Sequence, residues 1–266
     1  MKKIVFFISS SIYEFENQRK DIVSFIAGLD DQFGNDNLRI KCKICENVSD
    51  EMRAEGTQEE YNRIIREESD AVYVLVGSRA GKYTQEEFEV AWETLRQTGT
   101  HPRIMVYFQK PDKDAAQDES VAEFRQRVEN LHHYASTFTN LDVIKTSIVM
   151  ALMKELELKL EVRDGKAILG GTEVMSLENV PLFARNQGLN QLIQARNRLQ
   201  EEYDGYLKAY HASKQVVLLN HMEEIQQKLK QTTEQLRQME NDALSLLRQA
   251  YETRSTGKKV NPREET

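Results

Sequence analysis

The sequence has two cysteines, four prolines and one tryptophan, no excess of positive charge and no long apolar run. Each shortage removes a class of protein. Two cysteines cannot supply a disulfide framework. Cys42 and Cys45 form a single CKIC. With no second Cys or His pair to complete a zinc site, they read as alternating positions of a strand, RIKCKICE, and carry no chemistry. The net charge of -7 argues against direct nucleic-acid binding, which relies on a basic surface. No stretch reaches the ~18 apolar residues of a membrane span. The opening MKKIVFFISSS is too short and too polar downstream for a signal peptide. A cytoplasmic location with no membrane partner is the expectation.

What is present reads as two regions within 266 residues. From Met1 to about Leu160, apolar runs of strand length alternate with segments of helical period, the pattern of βα units around a parallel sheet. The strands are KIVFFIS, LRIKCKIC, AVYVLVG, RIMVYFQ and a short STFTN. Between them lie the helices QRKDIVSFIAGLDDQF, TQEEYNRIIREESD, EEFEVAWETLRQT and VAEFRQRVENLHHY, and a fifth helix runs from Leu141 to about Leu160. This count predicts a flavodoxin-like α/β sheet over residues 1–160. Residues 161–188 contain Asp164-Gly165 and Gly170-Gly171 flanked by alternation, followed by Pro181; they read as a small hairpin connector.

From Leu189 to about Thr253 there is no proline and only one glycine, Gly205. Long helix is the consequence. Its second half keeps a three-and-four spacing through Met222, Ile225, Leu229, Thr232, Leu236, Met239, Ala243, Leu246 and Ala250. The first half has its own spacing through Leu199, Tyr203, Tyr206, Tyr210, Ser213 and Val217, which slips near VVLLNH. A turn there folds a helical hairpin, whereas a stutter leaves one continuous coiled-coil helix. Either form has an apolar stripe to cover, by self-association or within the chain. Residues 254–266 are polar and read as a disordered tail.

Candidate chemistry concentrates at the carboxyl ends of the first and third strands, where open α/β sheets bind ligands. Ser9, Ser10 and Ser11 end the first strand, with Ile12 and Tyr13 next. Such hydroxyls and backbone N–H groups suit a phosphate or ribose, or simply a polar loop with a helix cap. Asp70 precedes the third strand, and GSRAGKYTQEEFEVAWE, Gly77 to Glu93, follows it. Glu86, Glu87 and Glu89 crowd the start of that helix. The plain account is a helix N-terminus capped by the Thr84 hydroxyl, with the acids favouring the positive end of the dipole. The sharper one is a carboxylate facing a pocket. GSRAGKYT does not satisfy GxxxxGK[ST], so nucleoside triphosphate hydrolysis is rejected. His132 and His133 lack acidic neighbours at ligand spacing and suit a helix C-terminus.

KIVFFISSS, ESDAVYVLVG and GxxxGxYTxxEFEVAWE together resemble the TIR-like domains found at the N-terminus of bacterial defence and signalling proteins, over roughly residues 1–150. In the TIR domains that consume NAD, a Glu early in the helix after the third strand is followed four residues later by a small residue. Glu87 and Ala91 fit that spacing. The resemblance implies NAD+ as the substrate, with no metal or separate cofactor. It makes Glu87 the catalytic residue and Ser9, Ser10, Ser11, Tyr13, Gly77, Ser78 and Tyr83 the substrate-binding set. It also implies homo-oligomeric assembly, with Glu51, Arg53 and Glu55 in a loop that completes a neighbour's pocket. Two features depart from the family: the Trp that often precedes the catalytic Glu is absent, Trp92 lying after it, and GSRAGKY is richer in glycine. Three functions stand: NAD+ hydrolysis, a non-catalytic TIR-like scaffold, and base transfer in the manner of nucleoside deoxyribosyltransferases, which place a Glu similarly.

Overall fold

The structure is a computed structural model that describes residues 1–45, 57–111, 117–133 and 135–256. The chain divides into two compact units, Met1–Ser147 with Ala250–Thr266, and Ile148–Gln249.

The first unit alternates strands and helices: β1 (Lys2–Ser10), α1 (Glu16–Phe33), β2 (Leu38–Lys43), α2 (Thr57–Glu67), β3 (Ala71–Val76), α3 (Lys82–Thr98), β4 (Arg103–Gln109), α4 (Glu119–Asn130) and β5 (Ser136–Phe138), followed by α5 (Asp142–Glu155). All five strands are parallel, in the order β2-β1-β3-β4-β5. The order reverses between β1 and β3, and a switch point of this kind opens a crevice at the carboxyl ends of the two strands. Ile4 to Ser10 and all of Ala71 to Val76 are buried. Strands covered on both faces lose polar alternation, which is why these two read as unbroken apolar runs. β2 alternates instead, and it stops at Lys43, so Cys42 lies in the strand and Cys45 beyond it.

α1 is amphipathic, and its buried face is Arg19, Ile22, Ile26, Leu29 and Asp30. Asp30 fixes it against β2 by accepting from the Ile40 N–H at 2.7 Å and from Arg39 Nη2 at 2.5 Å. Asp70 lies at the amino end of β3. Its side chain accepts from the Val5 N–H at 2.7 Å, and its carbonyl accepts from the Arg103 N–H at 2.9 Å. It is a clasp across β1, β3 and β4 at the end of the sheet away from the crevice. The sequence grouping of Asp70 with the candidate site is thereby corrected.

The second unit holds an antiparallel sheet, β6 (Leu160–Arg163), β7 (Lys166–Leu169) and β8 (Thr172–Ser176), in that order. It is a three-stranded meander where the sequence suggests one hairpin. Both dipeptides make two-residue turns, with positive φ at Asp164, Gly165, Gly170 and Gly171, as type I′ hairpins require. α6 (Pro181–Ala184) leads into α7 (Gln187–Ser213), whose first turn is capped by the Asn186 side chain accepting from the Leu189 N–H at 3.1 Å. α7 stops at Lys214, which adopts a left-handed conformation with φ 56°, and α8 (Val216–Thr256) begins two residues later. The slip near VVLLNH is therefore a turn. Tyr206 stacks on His221 with ring centroids 5.4 Å apart, and a β-carbon on Gly188 would meet Met239 Cε at 2.9 Å. The two helices thus pack as an antiparallel pair. Met222, Ile225, Leu236 and Ala243 of the apolar stripe are buried within the single chain, and Leu246 is exposed. Among the described residues, no helix is long and apolar enough to cross a membrane.

Candidate active site

Three short segments meet at the carboxyl end of the parallel sheet. β1 contributes Ser9 and Ser10, the second facing Leu75 of β3 in the parallel register. α2 presents its amino-terminal turn, and α3 starts at the N-cap Gly81. Between them is a cleft of ≈ 680 Å³ lined by Ser10 to Tyr13, Cys45, Thr57, Gln58, Tyr61, Arg79, Gly81 to Thr84, and Glu87.

The first turn of α3 contains no acid, and Thr84 lies inside the helix, buried, rather than at its cap. Capping and dipole stabilisation therefore do not account for the three glutamates; each has a separate partner. Glu86 accepts from Asn62 Nδ2 at 2.9 Å, tying α3 to α2. Glu89 accepts from Arg127 Nε and Nη2, both at 2.9 Å, tying α3 to α4 on the surface. Glu87 falls on the buried stripe with Thr84, Ala91 and Thr94, at the spacing of one helix face. It is 7% exposed. Ser9 Oγ donates to Glu87 Oε2 at 2.5 Å, and Gln58 Nε2 makes a longer contact of 3.5 Å to Oε1. Ala91, one turn on, is fully buried. Its small side chain lets this face of α3 lie close to the sheet.

Burial pushes the Glu87 carboxyl above its ordinary value, because a desolvated carboxylate is disfavoured. The Ser9 and Gln58 hydrogen bonds and the positive charge of Arg19 act in the opposite sense. Arg19 is a site residue that sequence reasoning passed over. It is wholly buried. Nη1 donates to the Ser10 carbonyl and to Ser10 Oγ, each at 2.9 Å, and Nη2 donates to Cys45 Sγ at 2.8 Å. Its signal was available: Arg19 continues the Ile22, Ile26, Leu29 stripe, so a charged residue occupies the inward face of an amphipathic helix. Cys45, read from sequence as a strand position without chemistry, lies beyond β2 and lines the cleft. Burial pushes the Cys42 thiol up to about 12, which makes it a poor nucleophile at neutral pH.

Of the residues singled out from sequence, Ser10, Ser11, Tyr13, Tyr83 and Glu87 line the cleft, and Ser9 reaches it through Glu87. Tyr13 is 97% exposed and Tyr83 61%, so each offers a ring face at the cleft without a packing role to explain it. Gly77 and Ser78 do not line it. Glu14 occupies the space beside Gly77, where a β-carbon would overlap its carboxylate, and it accepts from the Ser78 N–H at 2.5 Å. The Ser78 N–H is thus satisfied by the chain itself. Glu51, Arg53 and Glu55 lie outside the described residues. The cleft thus combines a buried carboxylate held by a hydroxyl, three tyrosine rings, and the cations Arg79 and Lys82. No protein-family model matches the chain, and no curated protein matches it.

Proposed function

We propose that the first unit is a TIR-like domain with a flavodoxin-like sheet, and that it hydrolyses the bond between nicotinamide and ribose in NAD+. The observation that carries the reading is Glu87, a carboxylate buried beneath a ligand-sized cleft and oriented by Ser9 Oγ. In NAD+ the nicotinamide nitrogen is already cationic. When the C1′–N bond breaks, its electron pair goes to that nitrogen and nicotinamide leaves as a neutral molecule. The leaving group needs no proton; the ribose, which acquires oxocarbenium character, needs a negative charge beside it. Glu87 supplies that charge. Water then bonds to C1′ and releases one proton, giving ADP-ribose. Arg79 and Lys82 suit the pyrophosphate, and the Tyr13 and Tyr83 rings suit stacking on a base. Those two cations favour a phosphorylated substrate over a free nucleoside and so favour this reading over nucleoside base transfer.

Nicotinamide release from NAD+ by the purified chain tests the reading, and its absence at every protein concentration leaves the scaffold function in its place. The pH profile adds a sharper expectation. Glu87 acts ionised and its carboxyl is raised by burial. Activity should therefore fall on the acid side at a pH above the ~4.3 of an ordinary glutamate. A profile flat down to that value removes Glu87 from the chemistry.

Activation by assembly belongs to the same proposal and rests on the TIR-like resemblance. The apolar stripe of α8 lends it no support, since most of it is covered within one chain. Specific activity across a dilution series, followed with light scattering, is expected to fall as the chain becomes monomeric. Constant activity per monomer assigns the whole site to one chain.

A further inference from the structure

The second unit holds a cavity of its own, of ≈ 450 Å³, between β6 and α8. β6 is an edge strand of the meander. From α8 the lining includes Thr233, Arg237, Asn241, Leu244 and Arg248, at the three-and-four spacing of a single helix face, with Leu236 and Glu240 beside them.

The charges around this cavity do not cancel. Its acids are Glu161, Asp164 and Glu240, and each is engaged. Glu161 pairs with Lys159 at 2.6 Å and Arg163 at 3.4 Å. Asp164 pairs with Arg196. Glu240, 3% exposed, accepts from the Gly165 N–H at 3.0 Å and so holds the β6–β7 turn. Arg237 and Arg248 remain, and neither has a carboxylate partner among the described residues. Arg248 Nη2 donates to the Leu160 carbonyl at 2.8 Å, while its Nε is buried with no acceptor. A guanidinium N–H withdrawn from water without an acceptor is destabilising. An oxyanion entering the cavity would meet two arginine side chains that no carboxylate among the described residues engages, and the planar fork of arginine matches carboxylate and phosphate oxygens in pairs. Asn241 adds an amide donor on the same face.

We propose that this cavity is a binding site for a small molecule carrying a carboxylate or phosphate, held by Arg237 and Arg248. The site is independent of the cleft that contains Glu87 and of any activity there.

Inorganic phosphate and citrate are the probes, one for each source of the oxyanion. They are added to the full chain while sodium chloride keeps the ionic strength constant, and binding is read by calorimetry and thermal melting. At least one probe should bind saturably and raise Tm, and whichever binds tighter identifies the oxyanion class. Arg237→Gln, an exposed position whose change leaves the fold intact, should weaken binding about tenfold, the loss of one charge-assisted contact. Arg248→Gln should do the same. The Arg79→Gln, Lys82→Gln double variant should bind as the original chain does. No saturable response to either probe overturns the proposal. So does binding that survives Arg237→Gln and is lost in the Arg79, Lys82 variant, because the anion would then sit in the Glu87 cleft.

Discussion

Glu87→Gln is expected to lower nicotinamide release by a factor of about 10² to 10³ or more, the range found when a preorganised charge at a reacting centre is removed. The amide keeps the volume and can still accept from Ser9 Oγ, so the loss isolates the charge. Glu86→Gln is the matched control, since Glu86 faces Asn62 rather than Ser9. The same substitution should move stability the other way. Because burial raises the Glu87 carboxyl above its ordinary value of 4.5, the folded chain binds more protons than the unfolded one between that value and the raised one. Unfolding free energy therefore declines as pH rises through the window, and at neutral pH the ionised carboxylate is a cost to the fold. Glu87→Gln should raise Tm near neutral pH, with the gain shrinking as the pH approaches ~4.5. A variant that is both inactive and less stable at neutral pH would mark Glu87 as a structural residue.

Arg19→Met is the second substitution with a large expected effect. It removes hydrogen bonds to the Ser10 carbonyl, Ser10 Oγ and Cys45 Sγ from a wholly buried position. A loss of about 3 kcal/mol is expected for such charge-assisted bonds, or roughly 6–12 °C in Tm at this chain length. Its second effect is electrostatic and distinguishes a positioning residue from a merely structural one. The Arg19 charge lowers the Glu87 carboxyl, so without it the acid limb of the activity profile should move to higher pH. Arg19→Lys retains charge and loses the planar fork. It should reproduce much of the instability and leave the acid limb near its original position. An acid limb unmoved in Arg19→Met shows that Arg19 does no more than hold β1 and α1 together.

The parts of this protein that could be read from sequence are those governed by local periodicity. β1 and β3 stand out because both faces are covered, and α3 shows its inward stripe through Thr84, Glu87 and Ala91. The turns at Asp164-Gly165 and Gly170-Gly171 are visible because few residues tolerate positive φ. Their number was visible too, but three short strands can be mistaken for two when the last, β8, is largely exposed. What local pattern conceals is the partner of a side chain far away in the sequence. Ser9 and Glu87 are 78 residues apart, and Glu14 and Ser78 are 64 apart. Arg19 reads as solvent-facing charge until its helix face is followed to the end. Thr84 looks like a cap until the helix is seen to start at Lys82. Gly77, which the TIR-like resemblance puts in the substrate-binding set, looks open to a ligand until Glu14 is seen to fill the space beside it.

That Glu14–Gly77 contact also constrains how the sequence can change. Enlarging residue 77 drives its β-carbon into the Glu14 carboxylate, and shortening residue 14 alone strips the Ser78 N–H of its acceptor. The overlap is with the far end of a flexible side chain, so a larger residue 77 is accommodated by swinging the Glu14 carboxylate aside, and that swing hands the exposed Ser78 N–H to water. The two positions are therefore mildly epistatic: a change at residue 77 decides whether a carboxylate at residue 14 still has a partner.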